Sequence, residues 1–416
     1  MAGKDESLSA THESTTLLSL VPSAFIPTVV FEIGNGAIAP AIALTASELG
    51  ATTANAAFML ALLGVGRVLG DLPASWLTGG IGDRWSMVVA TIIALLAFAV
   101  CLVAPSLIIL GVALIAIGGA NAVFYLARQC YLIEIAPLWL RARAMSSLAG
   151  SHRIGLFIGP FVAAAAISVV GLRGAYIVAI AAAAIAGCVL LAVSQVGPSE
   201  VQPAMSELDG HLSDRLIVEH RRLFATLGVT ILAVGALRAS RATVLPLWGD
   251  HLDISPEVIS LIFGLAGAVD MVLFYPAGKV MDQIGRLAIA LPAVLILSIS
   301  MMLLPLTTGT GSLALIAMIM GFGNGIGTGF IMTLGADVAP IKKRARFLGI
   351  WRLITDTGAA GGPVVVSIAA AVSTLAAGAV LIGSIGLLSL VGLAIWVPRY
   401  SPYGTPRSTR AQRVDR

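Results

Sequence analysis

Twelve apolar runs, each long enough to cross a bilayer, dominate this chain and leave it few ways to fold. They lie at 22–44, 54–77, 87–104, 107–133, 144–170, 175–196, 223–248, 256–277, 287–306, 312–336, 346–372 and 374–397. About 20 apolar residues span the hydrocarbon layer as a helix. Lipid offers backbone groups no partners, so each run must be helical throughout. Of the 416 residues 58% are hydrophobic and only 11% charged, and the mean hydropathy is +0.98. A water-soluble domain could not cover itself with so little charge. An all-α membrane protein of twelve transmembrane helices is the expected class.

The runs divide six and six. Gly278-Lys279-Val280-Met281-Asp282-Gln283-Ile284-Gly285-Arg286 has a partner in Gly79-Gly80-Ile81-Gly82-Asp83-Arg84-Trp85-Ser86. A shift of 199 superposes Gly79 on Gly278, Asp83 on Asp282 and Asp71 on Asp270. A shift of 203 superposes Asn121 on Asn324, Glu134 on Asp337, Pro137 on Pro340, Arg141 on Arg344 and Gly155 on Gly358. It also carries Gly159-Pro160 onto Gly362-Pro363. Two copies of one membrane unit point to a transporter with its site between the halves. The expected layout is a tail at 1–21, a bundle at 22–196, a linker at 197–222, a bundle at 223–397 and a tail at 398–416.

Lys and Arg set the orientation. The even-numbered connections carry twelve of them between Arg84 and Arg346, the odd-numbered ones only Arg173. Positive charge stays inside, so the even loops and both termini are expected on the cytoplasmic face of the cell membrane. The first residues lack a basic region and cleavage site, so no removable signal peptide is expected. The later linker reads as a short amphipathic helix at the membrane surface. The tail holding Arg399, Arg407, Arg410, Arg413 and Arg416 reads as disordered and drawn to anionic lipid rather than nucleic acid. Cys101, Cys130 and Cys188 sit singly in apolar runs and read as small buried residues.

Twelve spans, the duplication and the glycine–aspartate motif in both 2–3 connections resemble the major facilitator superfamily. Glu134-Ile135-Ala136-Pro137 with Arg141, repeated as Asp337-Val338-Ala339-Pro340 with Arg344, is similar to the element after that family's fourth helix. Gly155-x-x-x-Gly159-Pro160 and the longer Gly349, Gly358, Gly362 and Pro363 series resemble the motif of its drug:proton antiporters. The first loop motif departs from the pattern, ending Ser86-Met87. The resemblance implies two pseudo-symmetric six-helix bundles. It also implies a cytoplasmic gate of Asp83, Arg84, Glu134, Arg141, Asp282, Arg286, Asp337 and Arg344, whose opposite charges can bridge helix ends. Gly155, Gly159, Pro160, Gly358, Gly362 and Pro363 would form a helix-packing and bending motif.

Ten charges fall inside apolar runs: Glu32, Arg67, Asp71, Arg128, Arg153, Arg238, Arg241, Asp270, Arg352 and Asp356. Each costs several kcal/mol at mid-bilayer unless paired or wet. Arg67 with Asp71, and Arg352 with Asp356, are spaced to pair on their own helices. The 203 shift sets Arg153 against Asp356, and aligning Pro40 with Pro246 (a shift of 206) sets Glu32 against Arg238. In the resembled fold helices 1 and 7 line the cavity and 5 and 11 flank it. Glu32, Asn35, Arg153, Arg238, Arg241 and Asp356 are therefore the candidate substrate and proton site. Glu32 either carries the proton or forms a structural bridge to Arg238 or Arg241. Arg128 is expected to snorkel toward the cytoplasmic interface, and His152 to be packed or hydrogen-bonded.

Two transport functions fit. One is proton-coupled efflux, by antiport and alternating access, of a drug-like compound or small metabolite. The other is import or exchange of an organic anion, because embedded Arg outnumber embedded acids six to four. A non-transporting receptor or scaffold is a third class. A nucleophile–base pair, metal cluster and nucleotide loop are all missing from the sequence, so no enzyme, cofactor or metal is expected. The expected partners are a small solute, protons and the bilayer, with the chain a monomer.

Overall fold

The structure, a computed structural model, describes residues 21–136, 141–193, 218–327, 329–340 and 344–406. Among these, twelve helices are long and apolar enough to span a membrane. They are α1 Val21–Glu48, α2 Thr53–Ile81, α3 Asp83–Val103, α4 Leu107–Ile135, α5 Arg141–Val170 and α6 Arg173–Ala192. The second six are α7 Arg221–His251, α8 Pro256–Ile284, α9 Leu287–Leu306, α10 Thr310–Val338, α11 Arg344–Val372 and α12 Leu375–Tyr400. The chain is a multi-pass, all-helical membrane protein of two six-helix bundles.

Local chemistry sets the boundaries. Thr52, Ser106 and Thr374 cap α2, α4 and α12 by accepting the backbone N–H of Asn55, Ile109 and Ala377, which satisfies donors the first turn leaves open. Gly82 ends α2 at φ +81 and Gly285 ends α8 at φ +117, a backbone region that only glycine enters freely.

One shift of 203 residues relates the halves. It carries Ile26–Glu48 onto Val229–His251 and Thr53–Ile81 onto Pro256–Ile284. It also carries Leu107 onto Thr310 and Arg141 onto Arg344. The prolines inside α2 and α8, Pro73 and Pro276, and the five-residue π turns opening α1 and α7, Val21–Phe25 and Phe224–Gly228, follow it too. The 199 shift read from the loop motif is therefore displaced by about one turn. Asp83 opens α3, whereas Asp282 sits in the last turn of α8. The 206 shift also fails: Arg238 corresponds to Asn35, and Glu32 to Gly235.

Within each half the glycine–proline motif brings helices together. A Cβ on Gly155 would come 2.5 Å from Glu32 Cβ, and one on Gly159 2.7 Å from the Ala37 nitrogen, so α5 lies directly on α1. Gly358 and Gly362 do the same for α11 on α7, where a Cβ on Gly362 would come 2.6 Å from Ser240 Oγ. Small residues are what let backbones approach this closely in lipid.

Between the halves α2 packs along α11 and α5 along α8. The contact is tight away from the termini. There the Ser367 hydroxyl donates to the Ala54 carbonyl at 2.8 Å. Ile259 joins Ala37, Ala41, Leu44, Ala163 and Ile167 in one buried cluster across the seam. On the termini side Gly80, Gly150, Gly278 and Gly349 face open space.

Three expectations change. Helix α12 continues through Pro398 to Tyr400, and Ser401–Gly404 fold back so that the Arg286 and Leu287 N–H groups donate to the Tyr403 and Gly404 carbonyls. This part of the tail is ordered because it satisfies the start of α9. Helix α7 begins at Arg221, two residues before the expected bundle boundary. Cys188 is exposed, while Cys101 is buried. The remaining linker and tail expectations fall on 1–20, 194–217 and 407–416, outside the described residues.

Candidate functional site

Two polar clusters lie at mid-depth. The first is built by the first half around Glu32, whose side chain is fully buried. Its Oε2 accepts from the Tyr125 hydroxyl at 3.2 Å and the Asn35 amide at 3.3 Å. Its Oε1 stands 2.8 Å from His152 Nδ1 and 3.5 Å from Arg128 Nη1, neither contact aligned as a hydrogen bond. Asn35 and Asn121 exchange amide hydrogen bonds at 3.1 and 3.2 Å. Arg67 and Arg128 lie over the Tyr125 ring at 5.2 and 4.5 Å, and His152 meets that ring edge-on at 5.5 Å. Helices α1, α2, α4 and α5 thus close around one carboxylate.

The second cluster straddles the seam. Asp270 on α8 meets Arg241 of α7 at 3.7 Å and Arg153 of α5, from the other half, at 3.4 Å. The Asn324 amide of α10 donates to its second oxygen. Arg238 on α7 donates to the Gly327 carbonyl at 2.7 Å. That carbonyl is exposed by a break: α10 runs as Thr310–Ile326, then restarts as Phe330–Val338 after Gly329 at φ +84. The matching stretch of α4, Phe124–Leu126, is unbroken.

Several pairings differ from the sequence reading. Arg153 meets Asp270 rather than Asp356, which pairs with Arg352 on its own helix at 3.5 Å as their spacing predicts. Glu32 is tied up within its own half and does not bridge to Arg238 or Arg241. Arg67 lies over the Tyr125 ring at 5.2 Å rather than forming an ion pair with Asp71. Arg128 does not snorkel; it is 12% exposed and held inside by Glu32. Asn121, Tyr125, His152, Asp270 and Asn324 were missing from the candidate set. The two asparagines could have been found, since polar residues recurring at one shift inside apolar runs need partners. Tyr125 carried no such signal.

Of the gate residues, Arg286 and Asp337 form a two-pronged bridge at 2.8 and 3.2 Å, joined by the Ser401 hydroxyl at 2.9 Å. This bridge lies within one half. Arg84 instead donates to the Leu190 and Leu191 carbonyls at 2.9 and 3.1 Å, closing the end of α6. Asp83 opens α3, where a helix N-terminus favours a carboxylate, and Glu134 is exposed. The side chains of Arg141, Asp282 and Arg344 fall outside the described residues.

Two pseudo-symmetric bundles enclosing charges at mid-membrane define a secondary transporter and not an enzyme. The profile of the Major Facilitator Superfamily matches residues 24–340 and 227–414. The chain belongs to that superfamily. Among solved structures it is similar to the nucleoside transporter NupG, with TM-score 0.73 and 11% identity over 92% of this chain and 99% of that one. It is also similar to the inward-open xylose transporter XylE from E. coli, with TM-score 0.70 and 14% identity over 95% and 100%. A POT family transporter solved with 5-aminolevulinic acid matches with TM-score 0.71 and 12% identity over 91% and 96%. No curated protein matches the sequence.

Proposed function

We propose that this chain is a proton-coupled transporter of a small organic anion, working by alternating access about the α2–α11 and α5–α8 seam. One observation carries the solute class. Arg153, Arg238 and Arg241 gather at the seam around Asp270, which makes this stretch predominantly cationic. Embedded charge of one sign is stabilised by a counter-charge, and an anionic solute supplies it. Arginine suits that task, because its planar donors match a carboxylate or phosphate.

Glu32 is the proton site. Its Oε1 is buried without an aligned hydrogen bond yet 2.8 Å from His152 Nδ1, so a proton taken up there is shared between two groups. Export in exchange for protons is the direction favoured by the Gly-x-x-x-Gly-Pro resemblance. A cationic drug fits less well, since it would face the arginines. The basic even loops support cytoplasmic termini in the cell membrane, and a seam contained within one chain supports a monomer. The Arg286–Asp337 bridge supports a stabilising part for the gate motif in the second half, with Asp83, Arg84 and Glu134 at the corresponding end of the first.

Liposomes containing the protein and an entrapped pH dye test this against carboxylates, sugars, nucleosides and cationic dyes under an imposed pH gradient. A carboxylate should move protons with wild type and lose most of that flux in Arg153→Ala and Arg241→Ala. Proton movement with only a neutral or cationic solute would overturn the anion reading. Retained proton flux in Glu32→Gln would overturn the proton site.

A further inference from the structure

Residues 152 and 153 are neighbours on α5, yet they serve different clusters. His152 Nδ1 stands 2.8 Å from Glu32 Oε1, inside the first half. Arg153 Nη1 reaches Asp270 Oδ1 of the second half at 3.4 Å. Successive helix positions point about 100° apart, so one residue faces α1 and α4 while the next faces α8. Helix α5 is also fixed to the proton site by its backbone: Gly155, one turn along, would bring a Cβ within 2.5 Å of Glu32 Cβ. A change at Glu32 therefore has a short, stiff route to the seam.

We propose that His152 and Arg153 form the coupling element of the transport cycle. A proton held between Glu32 and His152 adds positive charge one residue from Arg153 and tightens the Arg153–Asp270 contact across the seam. His152 is then a positioning residue, acting on the solute site through its neighbour. The inference rests on Glu32 being the proton site.

The charged and titratable groups around this pair set the sign. Glu32 comes from α1, Arg67 from α2, and Tyr125 and Arg128 from α4. On the other side stand Asp270 from α8 with Arg238 and Arg241 from α7. In the first cluster Glu32 is the carboxylate set against two arginines. Neutralising it, or charging His152, raises the net positive charge beside Arg153 by one. Charges in a low-dielectric interior interact strongly, so Arg153 then relies more heavily on Asp270. Proton uptake favours the present arrangement, with the bridge formed and the termini side apart.

The test needs no solute, because the proton is the probe. Spin labels at Gly150→Cys on α5 and Gly278→Cys on α8 sit where added side chains meet open space; Cys101, Cys130 and Cys188 are replaced by alanine. The 150–278 distance is followed in nanodiscs between about pH 8 and about pH 5. In wild type the longer-distance population should rise several-fold as pH falls. His152→Gln should lose that response, and so should Glu32→Gln and Asp270→Asn. A full response in His152→Gln overturns the coupling element. If Glu32→Gln also responds fully, the proton site itself is overturned; if Glu32→Gln is flat while His152→Gln responds, only the coupling role falls. Should His152→Gln fail to fold, Asp270→Asn decides, because a full response there means the bridge does not sense the proton.

Discussion

Asp270 gathers three side chains at mid-depth, one of them from across the seam. Arg153, Arg241 and Asn324 converge on it from α5, α7 and α10. Asp270→Asn keeps the shape and the amide contact but leaves two arginines without their shared counter-charge. Breaking a buried ion pair from one side costs about 3–5 kcal/mol. These groups retain 14–21% exposure, so the expected loss is nearer ~2 kcal/mol after solvent screening. It would be read as a lowered unfolding midpoint in detergent by tryptophan fluorescence, and an unchanged midpoint would remove Asp270 as the counter-ion. The sequence identified which positions bear charge, because a charge inside an apolar run is conspicuous on its own. It identified the pair that spacing on one helix gives, Arg352 with Asp356, but not the pairs between helices. Pairing depends on which helix faces which, and shifts of 199 and 206 set Glu32 and Asp71 opposite the wrong partners.

Elements were legible to the extent that their ends carry chemistry. Caps and loop glycines mark boundaries that the helices keep, whereas Pro73 and Pro276 lie inside α2 and α8. The break in α10 is not visible in hydropathy because 312–336 is predominantly apolar, and hydropathy does not register a backbone change. Its signal was the alternation Gly321, Gly323, Gly325, Gly327, Gly329, which lowers the cost of leaving the helix. Gly329 carries the left-handed turn at φ +84. Gly329→Ala should destabilise the fold by about 1 kcal/mol, measured as a small drop in the unfolding midpoint. Gly159→Val should do far more. Its branched side chain would meet the Ala37 nitrogen at 2.7 Å with no flexible atom to yield, so α5 must leave α1. The expected outcome is loss of monodisperse protein on size exclusion, and normal yield would show that this contact is not tight.

At the scale of the molecule, one register of 203 residues governs the whole architecture, and it exchanges charge where the halves meet. Arg67 corresponds to Asp270, and Arg153 to Asp356. Duplication alone would make the halves repel at such positions; the exchange lets Arg153 of one half bind Asp270 of the other. The seam is therefore a polar contact at mid-depth and an apolar, small-residue contact beyond it. Only the second must open for a solute to leave on the far side. Ser367 and Ala54 mark that zone at 2.8 Å, so Ala54→Cys with Ser367→Cys, joined by a short thiol cross-linker, should hold the present state. With Cys101, Cys130 and Cys188 replaced by alanine and Gly278→Cys protected until the cross-link is made, maleimide labelling of that position at one fixed pH should then be single-phase. Cutting the cross-linker should restore a slow-labelling fraction, because the halves can again close on the termini side. Two-phase labelling that persists with the link intact would mean the termini side closes without the far side opening, and the α2–α11 contact would lose its place as the far-side gate.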